Sequence, residues 1–338
     1  MSMACVKIYL AAKTMNSIDL EALEAAATWF DAGHEAFLAT VVHTWGSAPR
    51  PVGSMMVLRG DGHVRGSVSG GCIEDDLIQR AREGEFKGAV PYVLEYGAAA
   101  EEAHQFGLPC GGTIKLVLER ITQSAWLHTL LNTVRQKGHI ARKLDMRTGI
   151  TTLHRASSVK TLQCNNEFLV TVHGPRHRLI IIGAGQLSRH VATMALTLDY
   201  EVTVCDPRSS YLDEWDVPGV TLTREMPDDL VLRLRPDNHC AVLSLTHDPK
   251  LDDMALLEAL KSPAFYVGAI GSQRNNGMRR QRLALFDLTP DEIGRLHGPV
   301  GLYLGSRTPP EIAISILAEM TAIRNGIMVL QRYPPPLN

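Results

Sequence analysis

The stretch Arg178-Leu-Ile-Ile-Ile-Gly183-Ala-Gly185-Gln-Leu-Ser188-Arg-His-Val191 decides the fold of the second half of the chain. A short β-branched run leads into G-x-G-x-x-S and then into a helical pattern, the order of a strand, turn and helix that cradle a pyrophosphate. Gly183 permits the tight turn, and Gly185 lets a phosphate approach the N–H groups at the helix N-terminus. Ser188 stands where a third Gly or Ala is usual and is small enough to keep helix against strand. The next strand ends at Cys205-Asp206, 21 residues beyond Gly185, where an acid accepts ribose hydroxyls. Apolar runs at 179–182, 201–205, 240–245 and 264–267 alternate with helical stretches, closing with a helix over 308–325. That alternation predicts a parallel sheet covered on both faces.

Upstream the periodicity differs. Residues 18–32 read as an amphipathic helix with Leu20, Leu23, Ala27 and Phe30 on one face. Short β-rich segments follow at 37–43, 55–59, 64–68, 90–95 and 114–119, broken by a helix over 73–84. A helix over 124–137 and strands at 140–145 and 168–172 complete an α+β domain. With His173-Gly-Pro-Arg176 as boundary, the fold class is α/β. An N-terminal α+β domain over 1–172 precedes a Rossmann-like, doubly wound parallel-sheet domain over 177–330.

A length of 338 residues suits two cores. The net charge of −2 supplies no basic surface for a nucleic-acid backbone. The apolar stretches are strand-sized, and Lys7 and Lys13 interrupt the N-terminal one, so neither a membrane span nor a signal segment is expected and the location expected is cytoplasmic. Six cysteines are scattered without a C-x-x-C pair, which points to reduced thiols rather than a disulfide framework or zinc ribbon. The 13 histidines show no H-x-x-x-H or H-E-x-x-H spacing, so a metal is expected to arrive inside a cofactor.

Three loops in the first half carry chemistry. Thr44-Trp-Gly-Ser-Ala-Pro-Arg50-Pro-Val-Gly-Ser54 presents hydroxyls and Arg50, a fork-shaped donor for an anionic oxygen. Gly66-Ser-Val-Ser69-Gly70-Gly71-Cys72-Ile-Glu74 runs small residues into a helix start, where backbone N–H groups face whatever occupies the loop. The helix dipole there lowers the Cys72 thiol pKa, while Glu74, Asp75 and Asp76 act against it. Phe106-Gly-Leu-Pro-Cys110-Gly111-Gly112-Thr113 sets Cys110 among glycines, which expose its thiol. Against these readings stand plain ones: a buried small hydrophobe for each cysteine, and ordinary glycine turns.

These motifs resemble the XdhC/CoxI family, accessory proteins of xanthine dehydrogenase and related molybdenum hydroxylases, over nearly the whole chain. In the first half the resemblance rests on Gly46-Ser-Ala-Pro-Arg50, Ser69-Gly-Gly-Cys72-Ile-Glu74 and Gly107-Leu-Pro-Cys110-Gly-Gly. In the second it rests on Gly183-Ala-Gly185, Cys205-Asp206-Pro-Arg208, Thr246-His-Asp248, Tyr266-Val-Gly-Ala-Ile-Gly271 and Gly305-Ser-Arg307-Thr-Pro-Pro-Glu311. It implies a chaperone, not an enzyme. Such a protein binds the molybdenum cofactor, in its molybdopterin or cytosine-dinucleotide form, while a cysteine desulfurase supplies the sulfido ligand, then hands it to the apo-hydroxylase, usually as a homodimer. It further implies that Cys72 and Cys110 contact the cofactor, Cys110 at the metal or its sulfur. Arg50, Ser69, Gly70, Gly71, Gly111 and Gly112 would hold the pterin or phosphate.

Two other functions stay open on the residues. An NAD(P)-dependent oxidoreductase would use Gly183, Gly185 and Asp206 for the dinucleotide, with His247 or Asp248 as acid or base. A regulatory protein would sense the dinucleotide alone. The plain alternative for Thr246 and Asp248 is to cap the following helix. Arg279, Arg280 and Arg282 are expected on a solvated helix face, whereas Arg274 and Arg307 are candidates to clasp a phosphate.

Overall fold

The computed structural model describes residues 17–45, 50–86, 88, 90–97, 112–136, 138–156, 162–246 and 248–327. The chain divides into two compact units between Pro175 and Arg176.

The first unit runs α1 (Ser17–Asp31), β1 (Ala36–Trp45), β2 (Met55–Arg59), β3 (Val64–Gly66), α2 (Cys72–Arg82), β4 (Tyr92–Tyr96), β5 (Thr113–Arg120), α3 (Ala125–Arg135), β6 (Ile140–Asp145), β7 (Thr151–Arg155), β8 (Gln163–Cys164) and β9 (Phe168–His173). Five strands form an antiparallel sheet in the order β3-β2-β1-β5-β4, and four form a second in the order β7-β6-β9-β8. The run Ala36-Phe-Leu-Ala-Thr-Val41 is buried at every position because the first sheet is covered on both faces. Phe37, Ala39 and Val41 pack with Ile73, Leu77 and Phe86 around α2. Ala36 and Leu38 pack with Ala22, Leu23, Leu127 and Leu130 from α1 and α3. Each such fully buried Leu or Ile contributes about 2 kcal/mol.

The second unit runs β10 (Arg178–Ile182), α4 (Gln186–Thr197), β11 (Glu201–Cys205), α5 (Ser209–Asp213), β12 (Thr221–Thr223), α6 (Pro227–Leu234), β13 (Cys240–Ser244), α7 (Pro249–Lys261), β14 (Tyr266–Ala269), α8 (Gln273–Leu283), α9 (Pro290–Gly294), β15 (Leu296–His297) and α10 (Pro309–Arg324). Its six strands lie in the order β12-β11-β10-β13-β14-β15, with every pair parallel. This is the Rossmann order, in which the chain reverses direction across the sheet between the first and fourth strands. Leu179 and Ile181 of β10 face α4 and α10, while Ile180 and Ile182 face α6 and α7.

The strands β8, β12 and β15, of two or three residues, were not expected from sequence because they are too short for a period to show; β7 was not expected either, and none of its five residues is buried. The expected strand over 64–68 stops at Gly66, because residues 67–71 turn inward to bind a carboxylate.

Candidate functional site

The register of the first sheet brings the motif loops to one end. Trp45, at the end of β1, pairs with Thr113 at the start of β5, and Tyr96, at the end of β4, pairs with Ile114. Met55, at the start of β2, lies beside Thr40, and Gly66, at the end of β3, beside Met56. The connections after β1, β3 and β4 therefore all depart from this end, carrying Arg50, Ser67–Gly71 and the segment that closes on Gly112. Cys110 and Gly111 lie outside the described residues, as does His247. Cys72 is the first residue of α2, and Gly112 is buried immediately before β5.

Within this end, residues 67–71 close around Glu74. One carboxylate oxygen accepts from the N–H groups of Val68 and Ser69 at 2.9 Å, from that of Gly70 at 3.1 Å and from the Ser67 hydroxyl at 2.8 Å. The other accepts from Gly71 N–H at 2.9 Å and from the Ser69 hydroxyl. Burial disfavours the charge, but the bonds from Ser69, Ser67 and Gly70 prevail and hold the carboxyl at about 2. Gly70 and Gly71 take φ values of 97° and 152°, left-handed conformations that turn successive N–H groups the same way. Arg50 joins the cluster, its Nε donating to the Ser67 hydroxyl at 3.4 Å. The loop amides do converge on an anion, but that anion belongs to the same chain. Glu74 was missed as a site residue; the signal was a Glu in the third helical position behind a Gly-Gly start.

The second candidate place is the rim of the parallel sheet at the switch point between β10 and β13. Gly183 has φ 103°, and a Cβ there would lie 2.8 Å from Thr246 Cγ2 and 3.1 Å from Thr246 N. Gly185 caps α4, and a Cβ on it would meet no atom within 4 Å. Ser188 is fully buried on α4, as close helix–strand packing requires.

Asp206 is where the pattern departs. It is completely buried, and it accepts from Ala184 N–H at 3.0 Å, from Arg208 N–H at 3.1 Å and from both forks of the Arg208 guanidinium at 2.8 Å. Burial works against its charge, and the Arg208 and Ala184 bonds overcome that and keep its pKa below the usual range. Arg208 in turn lies 4.0 Å over the Tyr211 ring. Both oxygens being engaged, the residues present do not fit a nicotinamide dinucleotide held through its ribose by this acid. Asp206 fixes the glycine turn instead. Asp248 is a cap, its side chain accepting from Lys250 N–H at 2.9 Å.

The expected solvated arginine face is corrected in part. Arg279 is buried and pairs with Asp252 at 2.9 Å, while donating to Ile270 O at 2.9 Å and to Asn276 Oδ1 at 2.6 Å. Asp252 also accepts from Thr246 N and Oγ1, at 3.2 and 2.8 Å. Burial outweighs these partners and pushes its carboxyl up to about 6. Arg280 holds the carbonyls of Gly298 and Leu296, and Arg282 pairs with Asp253 at 2.7 Å. The network ties the loop after β13 to the loop after β14. A second buried group joins Tyr266, Gly301 N–H and His297 to Glu319 at 2.5, 2.8 and 3.1 Å. Arg274 and Arg307 are exposed, and Arg307 N–H donates to Glu311 at 2.9 Å in the start of α10.

Comparison with known proteins follows the same division. The XdhC Rossmann domain matches residues 179–320, and the XdhC and CoxI family matches residues 29–97. Among curated relatives, the molybdenum cofactor insertion chaperone PaoD of Escherichia coli is 28% identical over 86% of this chain and 84% of its own length. A probable xanthine dehydrogenase subunit of Bacillus subtilis is 27% identical over 88% and 95%. An uncharacterized E. coli protein, YqeB, is 26% identical over 88% of the chain, which spans only 46% of that protein. A solved structure of a xanthine dehydrogenase from Bacillus halodurans shares the fold, with a TM-score of 0.74, 24% identity and coverage of 90% and 96%. No described helix is long and apolar enough to cross a membrane.

Proposed function

Because the chain belongs to the XdhC and CoxI family, we propose that it binds the molybdenum cofactor and delivers it to an apo-enzyme of the xanthine dehydrogenase type, acting as a maturation factor in the cytoplasm rather than as an enzyme. The observation that carries this reading is that the strand ends bounding three motif connections lie at one end of one sheet, with Arg50 bonded to the loop that leads into Cys72. The relatives support it, one being a molybdenum cofactor insertion chaperone by name.

In this reading the guanidinium of Arg50 pairs with the phosphate of the pterin, in the molybdopterin or the cytosine-dinucleotide form. Cys72 and Cys110 supply soft thiolate contacts, Cys110 toward the metal or its sulfur. Ser69, Gly70 and Gly71 shape one wall, and Gly111 and Gly112 another. The bound group contributes the redox centre of the client enzyme. A cysteine desulfurase provides sulfur before hand-over, and the carrier acts as a homodimer. The rim at Gly183, Gly185 and Asp206 keeps the dinucleotide architecture with its acid engaged internally, which tells against an NAD(P)-dependent reaction.

The test is anaerobic incubation of the purified chain and its Cys110→Ala variant with molybdenum cofactor, counting molybdenum and pterin retained after ultrafiltration. Stoichiometric retention that falls in the variant is expected. Retention by neither protein would overturn the proposal.

A further inference from the structure

We propose that Glu74 is a positioning residue for the cofactor site: its carboxylate acts as an internal anion that sets both the Ser67–Gly71 loop and the Arg50 side chain. The proposal rests on the function above for what the loop is positioned to do, but the geometry stands by itself.

A helix start needs one carboxylate bond to the N-cap N–H. Glu74 makes that bond, to Gly71, and goes on to accept from three further amides and two hydroxyls. Capping α2 does not account for the other five. They hold a tripeptide turn, Ser69-Gly70-Gly71, whose left-handed glycines would otherwise be among the freest residues of the chain. Those glycines are not there for want of room, since a Cβ on Gly70 or Gly71 would meet nothing within 4 Å. Their conformation is what is required, and Glu74 is what rewards it. The same carboxylate reaches Arg50 through one hydroxyl. Ser67 donates its proton to Glu74 at 2.8 Å, which leaves its oxygen to accept from Arg50 Nε at 3.4 Å. One buried charge therefore fixes the backbone leading into Cys72 and the orientation of the cationic fork.

A consequence follows for ligand chemistry. With the loop amides committed, an anionic group of the ligand has to be met by the remaining guanidinium donors of Arg50 rather than by the backbone cradle.

The experiment compares the wild-type chain with Glu74→Gln and Ser67→Ala. Glutamine keeps the shape but turns one acceptor oxygen into a donor, facing Ser69 and Gly71 donors or the cluster on the other oxygen. Amide hydrogen exchange is followed at residues 68–71 and, as an internal control, across β1, β2 and β5; retained cofactor is counted in parallel. Expected in Glu74→Gln is at least tenfold faster exchange at residues 68–71, with the strands unchanged, and at least tenfold less cofactor retained. Ser67→Ala cuts the Arg50 link together with one hydroxyl bond to Glu74 and the Gly70 N–H contact at 3.2 Å, but it leaves the four amide bonds to the carboxylate, so it should keep most loop protection and still lose retention. A merely structural role would slow or speed exchange across the whole sheet alike, or leave retention at the wild-type level. Either result overturns the proposal, as does wild-type exchange at 68–71 in Glu74→Gln. Should Glu74→Gln not fold, Ser69→Ala removes one donor to the carboxylate, together with the acceptor for Ile73 N–H at 3.3 Å, and is judged by the same two readouts. If the wild type itself retains no cofactor, the function proposed above falls, and loop exchange alone decides the role of Glu74.

Discussion

Acid should destabilise the second unit through His177. Its ring is packed 5.8 Å from Tyr200, 5.7 Å from His239 and 5.7 Å from Phe265, centroid to centroid. Burial first, then the positive charges of Arg324 and His239, with Asp237 opposing, depress its pKa to about 3. The sign is the reverse of a histidine that gains a partner. The folded state refuses the proton that the unfolded chain accepts below about 6.5, so the contribution to stability is intact above that pH and is lost as pH falls toward 3. At about 1.4 kcal/mol per pH unit, the loss reaches roughly 1.4 kcal/mol at pH 5.5 and roughly 2.7 kcal/mol at pH 4.5. The perturbation is His177→Phe, which keeps an aromatic ring among Tyr200, His239 and Phe265 and removes the titration. Urea midpoints of the second unit, read by pulse proteolysis with its fragment quantified, should converge for the two proteins as pH drops from 7.5 to 4.5. The difference in unfolding free energy should shift in favour of the variant by the amounts above. Parallel curves, with no pH dependence in the difference, would refute the reasoning and move the acid sensitivity to other groups.

The two glycines of the turn after β10 should separate cleanly. Gly183→Ala puts a Cβ 2.8 Å from Thr246 Cγ2 at a φ of 103° and should cost about 2 to 3 kcal/mol, whereas Gly185→Ala, with nothing within 4 Å, should cost about 1 kcal/mol or less in the same urea assay. Arg279→Ala leaves Asp252 buried without its cation and should destabilise by about 3 kcal/mol; Arg279→Ala with Asp252→Ala should recover part of that, and an additive double variant would deny the pair any coupling.

What could be read from the residues and what could not divides along the range of the interaction involved. That β10, β11, β13 and β14 form a parallel sheet was legible because runs such as Leu179–Ile182 must be covered on both faces, whatever follows them. The role of Gly183 was legible only in part: the turn is local, but the close approach of Thr246 comes from the loop after β13, distant in sequence, and it would demand glycine with no ligand at all. Asp206 shows the same limit from the other side. Its place at a strand end follows from spacing, yet its partner Arg208 sits two residues away in Cys205-Asp-Pro-Arg208. A bidentate pair at that separation needs the chain to bend at Pro207, which a pattern of residue types does not specify. Helix α8 was misjudged because charge was equated with solvent, although Asn276, Arg279 and Leu283 recur at helical spacing and are its buried residues. A polar stripe with that period is a sign of a buried network whenever the helix has too few apolar residues to face a sheet. Glu74 is the most instructive case. Read one residue at a time, it is a negative charge near a thiol; read with the backbone, it is the group that closes a cradle, because two glycines at positive φ direct their amides inward. The three motifs were each visible, but that their connections leave the same end of one sheet depends on β5 pairing with both β1 and β4, a long-range pairing that no one motif specifies.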